Sequence, residues 1–283
     1  MRGFWADERV DGGLWNLSNP IFNYIYKFFK RKEIEFFSQS DSVISLTENG
    51  KSEIHSWESV LNNPIPIEVI PCCVDAEFFD YTKIDQNSIR ALKTKIHINK
   101  ESYILSYLGS IGTWYLLEEM LDFFIVLKKS IPSAIFLFIT QDDKKKILGV
   151  SRAKGISDED IFIIKAQRNE VPLLASLSNS SIFFIKPSYS KKASSPTKQG
   201  ELMALGIPII CNDGVGDTSS IVKKYESGIV IDAFNINNYE KAIEDLVSMK
   251  FEKAKIRAGA MDYFSLEKGV EKYANVYSKI FQY

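Results

Sequence analysis

Residues 194–201 of this chain, Ser194-Ser195-Pro196-Thr197-Lys198-Gln199-Gly200-Glu201, combine the groups needed to seat an anion. Ser194 or Ser195 suits a helix N-cap, and Pro196 suits the first helical position, where its missing N–H would be unpaired anyway. The first turn then offers free N–H groups, the hydroxyls of Ser194, Ser195 and Thr197, and the ammonium of Lys198, a seat fit for a phosphate or diphosphate. Glu201 lies three residues beyond Lys198 on the same helix face, where a carboxylate can accept two hydrogen bonds from a ribose diol. An ordinary capped helix with a solvated Lys198–Glu201 pair accounts for the same spacing equally well. A second candidate seat is Gly109-Ser110-Ile111-Gly112-Thr113, where a strand over 103–108 gives way to a helix from 114 to about 129. A strand, a glycine turn and a helix start cradle anions, although turn glycines are common at such junctions. Thr113 is the expected N-cap there, and Glu118 and Glu119 suit the early helix dipole.

Alternating elements must hold these two loops. Strands are expected at 42–46, 67–70, 103–108, 134–140, 161–164, 182–185, 207–211 and 229–231. Helices are expected between them: 21–37, from Thr47 to about 57, 144–155, a short one capped by Asn169 and running through 177, and one capped by Asp217 or Thr218 and running to about 225. Three more helices end the chain. Gly206 fits a left-handed helix stop before residues 207–210. Regular β–α alternation with apolar strands implies a parallel sheet covered on both faces, with ligands at the carboxyl ends of its strands. Both candidate loops fall at such ends, so one ligand can touch both.

The 283 residues are 45% hydrophobic and 25% charged with net charge −1, a soluble globular composition long enough for one large or two ordinary domains. Charge so near zero, with no basic stripe, argues against a nucleic-acid partner. Cys72, Cys73 and Cys211 have no ligand-like spacing, and His55 and His97 stand alone, so metal and triad chemistry have weak support. The cysteine usage suits a reducing, cytoplasmic compartment. No apolar run approaches the roughly 20 residues of a membrane span, and the charged start lacks the apolar core of a signal peptide. Residues 1–19 mix Trp5 and Trp15 with charges and glycines and have no period, which reads as a loop. The helix at 21–37 carries aromatics at 22, 26 and 29 and basic residues at 27, 30, 31 and 32. That pattern suits peripheral contact with an anionic membrane surface. A helix packed on its own domain with a solvated lysine face is the favoured reading.

Several motifs in order resemble a known family. Tyr107-Leu108-Gly109-Ser110-Ile111-Gly112-Thr113-Trp114-Tyr115, Asn169-Glu170-Val171-Pro172, Ser194-Ser195-Pro196-Thr197-Lys198 with Glu201, Gly206-Ile207-Pro208 and Gly214-Val215-Gly216-Asp217 carry the likeness. With them, residues 103–283 resemble the C-terminal, donor-binding half of retaining GT-B glycosyltransferases of family GT4 (glycosyl transferases group 1). Residues 1–80 resemble the last part of that family's N-terminal domain, and Ile67-Glu68-Val69-Ile70-Pro71 with Val74-Asp75 and Phe78 its exit into the interdomain linker. Residues 263–277 resemble the final helix that crosses back. The resemblance implies an α/β, GT-B type fold: a partial N-terminal Rossmann-like domain over 1–88, a complete C-terminal one with a parallel sheet over 89–262, and a crossing helix over 263–283. It implies a donor site formed by Gly109, Ser110, Gly112, Thr113, Ala166, Ser194, Ser195, Thr197, Lys198 and Glu201, with Lys198 and Glu201 taken as the catalytic pair.

The chain also departs from the family pattern. The first of the family's two glutamates, which normally faces the donor sugar, is replaced by Ala193. Ser110 stands where many relatives carry a cation, which leaves Lys198 as the diphosphate cation. The earlier units of the N-terminal domain are missing, so the chain reads as a truncated or internally started member with much of the acceptor site absent.

The implied reaction moves a sugar from a nucleotide-diphosphate donor to an acceptor hydroxyl with retention, in surface polysaccharide or glycan biosynthesis. The acceptor is a glycan or a lipid-linked molecule. No metal or cofactor is implied, because the nucleotide sugar is a substrate. The location is cytoplasmic, with peripheral contact at the inner face of the membrane as a further reading. A non-catalytic donor-binding remnant is the alternative. A sugar-nucleotide epimerase is disfavoured by the scarcity of histidine.

Overall fold

The computed structural model describes residues 3–61 and 64–281. The chain opens with helices Trp5–Asp11 (α1) and Pro20–Ser38 (α2), strand Val43–Ser45 (β1), helices Glu48–His55 (α3) and Glu58–Leu61 (α4), and strand Ile67–Val69 (β2). A linker leads to helix Gln86–Lys95 (α5). Then follow Tyr103–Leu108 (β3), Leu117–Ser130 (α6), Ala134–Ile139 (β4), Lys144–Ala153 (α7), Ile161–Ile164 (β5), Val171–Ala175 (α8) and Ser180–Phe183 (β6). Thr197–Ala204 (α9), Ile209–Asn212 (β7), Thr218–Lys224 (α10) and Gly228–Ile231 (β8) complete the alternation. Ile236–Ser248 (α11), Lys253–Tyr263 (α12) and Leu266–Ile280 (α13) end the chain.

Two parallel sheets result. β1 and β2 pair alone, in register Val43 with Ile67. The other six strands run in the order β5-β4-β3-β6-β7-β8, all parallel. After β5 the chain returns to the middle and builds outward the other way, so the strand order reverses between β3 and β6. Every residue of β4, Ala134–Ile139, is buried, as a strand covered on both faces requires. Gly206 stops α9 at φ +66; a Cβ there would lie 2.7 Å from the Cβ of Lys253.

The eight expected strands are all present, with edges displaced by at most two residues and most for β6 and β7. The local start signals did less well. Residues 5–11 form a helix rather than a loop, because Phe4 is fully buried between Trp57 and Tyr189 and docking supplies what period does not. Thr113 does not cap α6. Tyr115 bridges to Ile185 and keeps the chain extended until Leu116. Neither Ser194 nor Ser195 caps α9; Pro196 takes that position, and the Ser195 hydroxyl instead accepts the N–H of Cys72 at 3.2 Å. Asn169 does not open its helix either: the turn before α8 is pinned by Glu170, which accepts the Gln167 N–H at 2.7 Å. Asp217 occupies the position before α10 without capping it. Its carboxylate accepts the N–H groups of Glu48 and Asn49, at 2.6 and 3.0 Å, and so caps α3 from a distant part of the chain.

α13 leaves the large sheet and lies along β2. Gly269 lets it approach, since a Cβ there would stand 2.4 Å from Cys73 Sγ, and Lys272 Nζ donates to the Val69 carbonyl at 2.8 Å.

Candidate functional site

In open parallel sheets the crevice for a ligand lies beyond the carboxyl ends of the strands, where the strand order reverses. Here that point is flanked by the ends of β3 and β6, and the ammonium of Lys198 is placed at it. Gly109, the first residue after β3, has φ +113, and a Cβ on it would lie 3.0 Å from Lys198 Nζ. The two loops singled out by their chemistry therefore meet, and Gly109 is required both by its backbone angle and by the closeness of the lysine.

Lys198 is 8% exposed. Its ammonium donates to Tyr107 Oη at 3.2 Å and stands over the rings of Tyr115 and Tyr107, 3.7 and 4.2 Å from their centroids. Among the described residues it has no ion pair. Burial pushes its pKa down from 10.5 to about 7, against the opposing pull of the Glu201 carboxylate. Burial also pushes both tyrosine hydroxyls up, so they stay neutral. Two π faces and one hydroxyl give this cation much less than a carboxylate would, so an anion entering the crevice would gain a partly unsatisfied charge.

Glu201, one turn further along α9, is 5% exposed and is paired with Arg168, Nη1 to Oε1 at 2.6 Å. The Arg168 guanidinium lies over the ring of Phe79 at 4.6 Å and near that of Phe78 at 5.6 Å.

The other expected residues divide. Ser110 Oγ donates to Asp142, at 2.9 Å to Oδ1, and the Ile111 N–H donates to Asp142 Oδ2. A carboxylate of the protein thus sits where a phosphate was expected on this loop. Gly112 and Thr113 are exposed, with open space where a Gly112 side chain would be. The Ala166 carbonyl accepts Gln141 Nε2 at 2.5 Å. Thr197 is exposed, and Ser195 faces Cys72. The Ser194 carbonyl is covered by Gly216, where a Cβ would come within 2.1 Å of it. Ala193 is 1% exposed and belongs to the small core beside the two-stranded sheet; a Cβ on Gly50 would stand 2.8 Å from its own. Ala193 is therefore a packing residue beneath α3.

Reading the sequence missed Tyr107, Tyr115, Asp142 and Arg168. The tyrosines sit in the quoted motif, but a strand tyrosine reads as core. Asp142 follows β4, and its relation to Ser110 depends on the pairing of β3 with β4. Arg168 stands in a polar turn that shows no period. No group of three or more metal-ligating side chains lies together among the described residues, and no helix there is long and apolar enough to cross a membrane.

A family model described as "Glycosyl transferases group 1" matches residues 88–261. Solved structures share the fold at low identity. Sucrose-phosphate synthase (tll1590) from Thermosynechococcus elongatus is 17% identical with a TM-score of 0.70, over 88% of this chain and 61% of that one. A glycosyltransferase from Rickettsia africae ESF-5 is 14% identical with a TM-score of 0.69, over 88% and 66%. Anabaena Alr3699/HepE in complex with UDP-glucose is 12% identical with a TM-score of 0.69, over 88% and 67%. The chain thus spans about three fifths of the length of the first of these. No curated protein sequence matches.

Proposed function

The chain belongs to the glycosyl transferases group 1 family, and from that premise we propose that it binds a nucleoside-diphosphate sugar at the Lys198–Gly109 crevice and transfers the sugar to an acceptor hydroxyl with retention. The observation that carries this is the buried Lys198 ammonium, which has no carboxylate partner among the described residues, at the sheet's switch point. A diphosphate leaving group develops charge as its bond to the sugar breaks. A fixed cation in a poorly hydrated crevice stabilises that charge without reorganising. Glu201, one turn along, is the group for the ribose diol. Exposed Gly112 and Thr113 border the open side. The structure of HepE with UDP-glucose supports a uridine nucleotide as the first ligand to try. The reaction draws on no metal or cofactor in this reading, since the nucleotide sugar is itself a substrate.

The acceptor class we propose is a glycan or lipid-linked hydroxyl, in surface polysaccharide or glycan assembly in the cytoplasm. Exposed Ile21, Tyr24 and Phe28 on α2, beside Lys27 and Arg31, support contact with the inner face of a membrane.

Titration calorimetry with UDP tests the donor site. Lys198→Ala is expected to weaken binding by about 1.5–3 kcal/mol, the scale of a hydrogen bond to a charged group. Absence of binding to the intact chain would overturn the proposal. A second reading, donor binding without turnover, is favoured by one observation: position 193 is filled by packing against Gly50. Release of glucose from UDP-glucose, measured on the chain that binds UDP, separates the two.

A further inference from the structure

We propose that Arg168 is a positioning residue that sets Glu201 for a ribose diol, and thereby makes the site prefer ribonucleotides to deoxyribonucleotides; this rests on the donor-binding reading above. Glu201 is a buried carboxylate on a helix, and burying a charge is costly unless it is paired. Lys198 is near, but its ammonium is held over Tyr107 and Tyr115 and forms no ion pair with Glu201. The pairing charge comes instead from the turn before α8, where Arg168 Nη1 meets Glu201 Oε1 at 2.6 Å.

An exposed arginine is ordinarily a mobile partner, and its ion pairs are worth little. This one is held on two further sides. Its guanidinium carbon lies over the rings of Phe79 and Phe78, 4.6 and 5.6 Å from their centroids. The Phe79 ring is fully buried, and the backbone that carries both rings is tied down: Asp75 Oδ1 accepts the Phe78 N–H at 3.0 Å, and Arg257 Nη1 donates both to the Phe79 carbonyl and to the Ala204 carbonyl at the end of α9, each at 2.6 Å. The Arg168 turn is pinned from below by the bond from Gln167 N–H to Glu170. Arg168 therefore joins a rigid aromatic shelf to the carboxylate of α9. An ionised carboxylate has about four acceptor positions, and a single N–H on Oε1 leaves the rest free for the two hydroxyls of a ribose. The arginine fixes the direction in which those positions point.

The test is calorimetry on the full chain with UDP and with 2′-deoxy-UDP. The wild type is expected to bind UDP more tightly, on the order of tenfold to a hundredfold, because the deoxy compound leaves a charged acceptor without one donor. Arg168→Ala is expected to bring the ratio close to one by weakening UDP while leaving 2′-deoxy-UDP nearly as before. Arg168→Lys restores the charge without the planar stack and should give an intermediate ratio. An unchanged melting temperature for Arg168→Ala excludes a general loss of structure. A wild type with no preference, an Arg168→Ala variant that keeps the preference, or equal weakening of both nucleotides would each overturn the inference. Failure of the wild type to bind UDP is a separate result, read before Arg168 is changed, and it would bring down the donor site itself and this inference with it.

Discussion

The six-stranded and two-stranded sheets follow the same β–α grammar, but only the larger encloses a core sufficient for itself. Around β3 to β8, long apolar strands are covered on both faces, and rings such as Phe136, Phe138 and Phe124 pack against one another in full burial. Around β1 and β2, the buried cluster is Phe4, Phe37, Val43, Ile54, Val60, Ile65 and Ile67 with Ala193 borrowed from the larger part. The 19-residue helix α2 buries one side chain, Phe37, and leaves Ile21, Tyr24, Phe28 and Phe36 in water. A cavity of about 440 Å³ between α1, α2 and β1 is lined by Phe29, Phe36, Phe37 and Val43 with Lys32 and Glu33. Polar bonds join the smaller region to the larger one beside this packing. Lys191 pairs with Glu8 at 2.8 Å, the Ser190 N–H donates to Asp11 at 2.9 Å, and Thr47 Oγ1 donates to the Lys192 carbonyl at 2.7 Å. The proposed donor site therefore sits on the region with the larger core, and the smaller region is fastened to it.

The largest expected effect tests where stability resides. Phe136 is fully buried between two other rings in an interior strand. Phe136→Ala should cost about 3–5 kcal/mol, read as a fall in thermal or denaturant midpoint. A cost no larger than that of a surface change would show that the large sheet is not the stable unit.

The next effect has the opposite sign, because the site is bought with stability. The unfolded chain holds the Lys198 proton up to about 10.5, whereas the folded chain releases it at about 7. Between those values the unfolded chain binds more protons, so this residue's contribution makes stability rise with pH; below about 7 its burial opposes folding in full. Lys198→Met keeps the bulk and removes the charge. It should stabilise the protein at pH 7 by roughly 1–3 kcal/mol while weakening UDP binding about as much as Lys198→Ala does, and the gain should fade above the ordinary lysine pKa. Paired denaturation curves at pH 6.5 and pH 10 check this. An equal effect at both pH values would mean that the lysine is not held charged in a dry site.

How far this arrangement was legible depended on distance along the chain. Strand positions were readable because an apolar run buried on both faces leaves a mark on its own residues, as at 134–139. The meeting of Gly109 with Lys198 was readable because alternation places both at carboxyl ends of one sheet. Capping was not. Ser195, Thr113 and Asp217 all carry suitable side chains at suitable places, yet tertiary contacts claim the first and third, and a β-bridge delays the helix after the second. Arg168 and Asp142 could not be found at all, because each acts on a residue more than thirty positions away through a register that no local pattern encodes.

The fastening between the regions gives the third prediction. Asp217 accepts two N–H groups at the start of α3 and the hydroxyl of Tyr263 at 3.0 Å. Asp217→Ala removes the acceptor of those three donors and should cost about 1–2 kcal/mol, near the upper end for a lost helix cap. Hydrogen exchange should rise first at residues 48–51, and protection in β3 and β4 should hold. Equal loss of protection in both sheets would mean that the two regions unfold as one, which would erase the contrast drawn between them.

The smallest effect is expected on α2. Phe28 is exposed and touches Phe29 edge-on, so Phe28→Ser removes apolar area already in contact with water and should change stability by less than about 0.5 kcal/mol. Phe37→Ser on the same helix places a hydroxyl into the small core and should cost several times more. The pair isolates burial from helix propensity, since both substitutions put serine into one helix. UDP affinity should follow neither change, because Lys198 and Glu201 are held by the larger sheet. If Phe28→Ser lowered the melting point as much as Phe37→Ser, the outer face of α2 would have to be covered in solution, and the smaller region would be less weakly supported than its buried residues indicate.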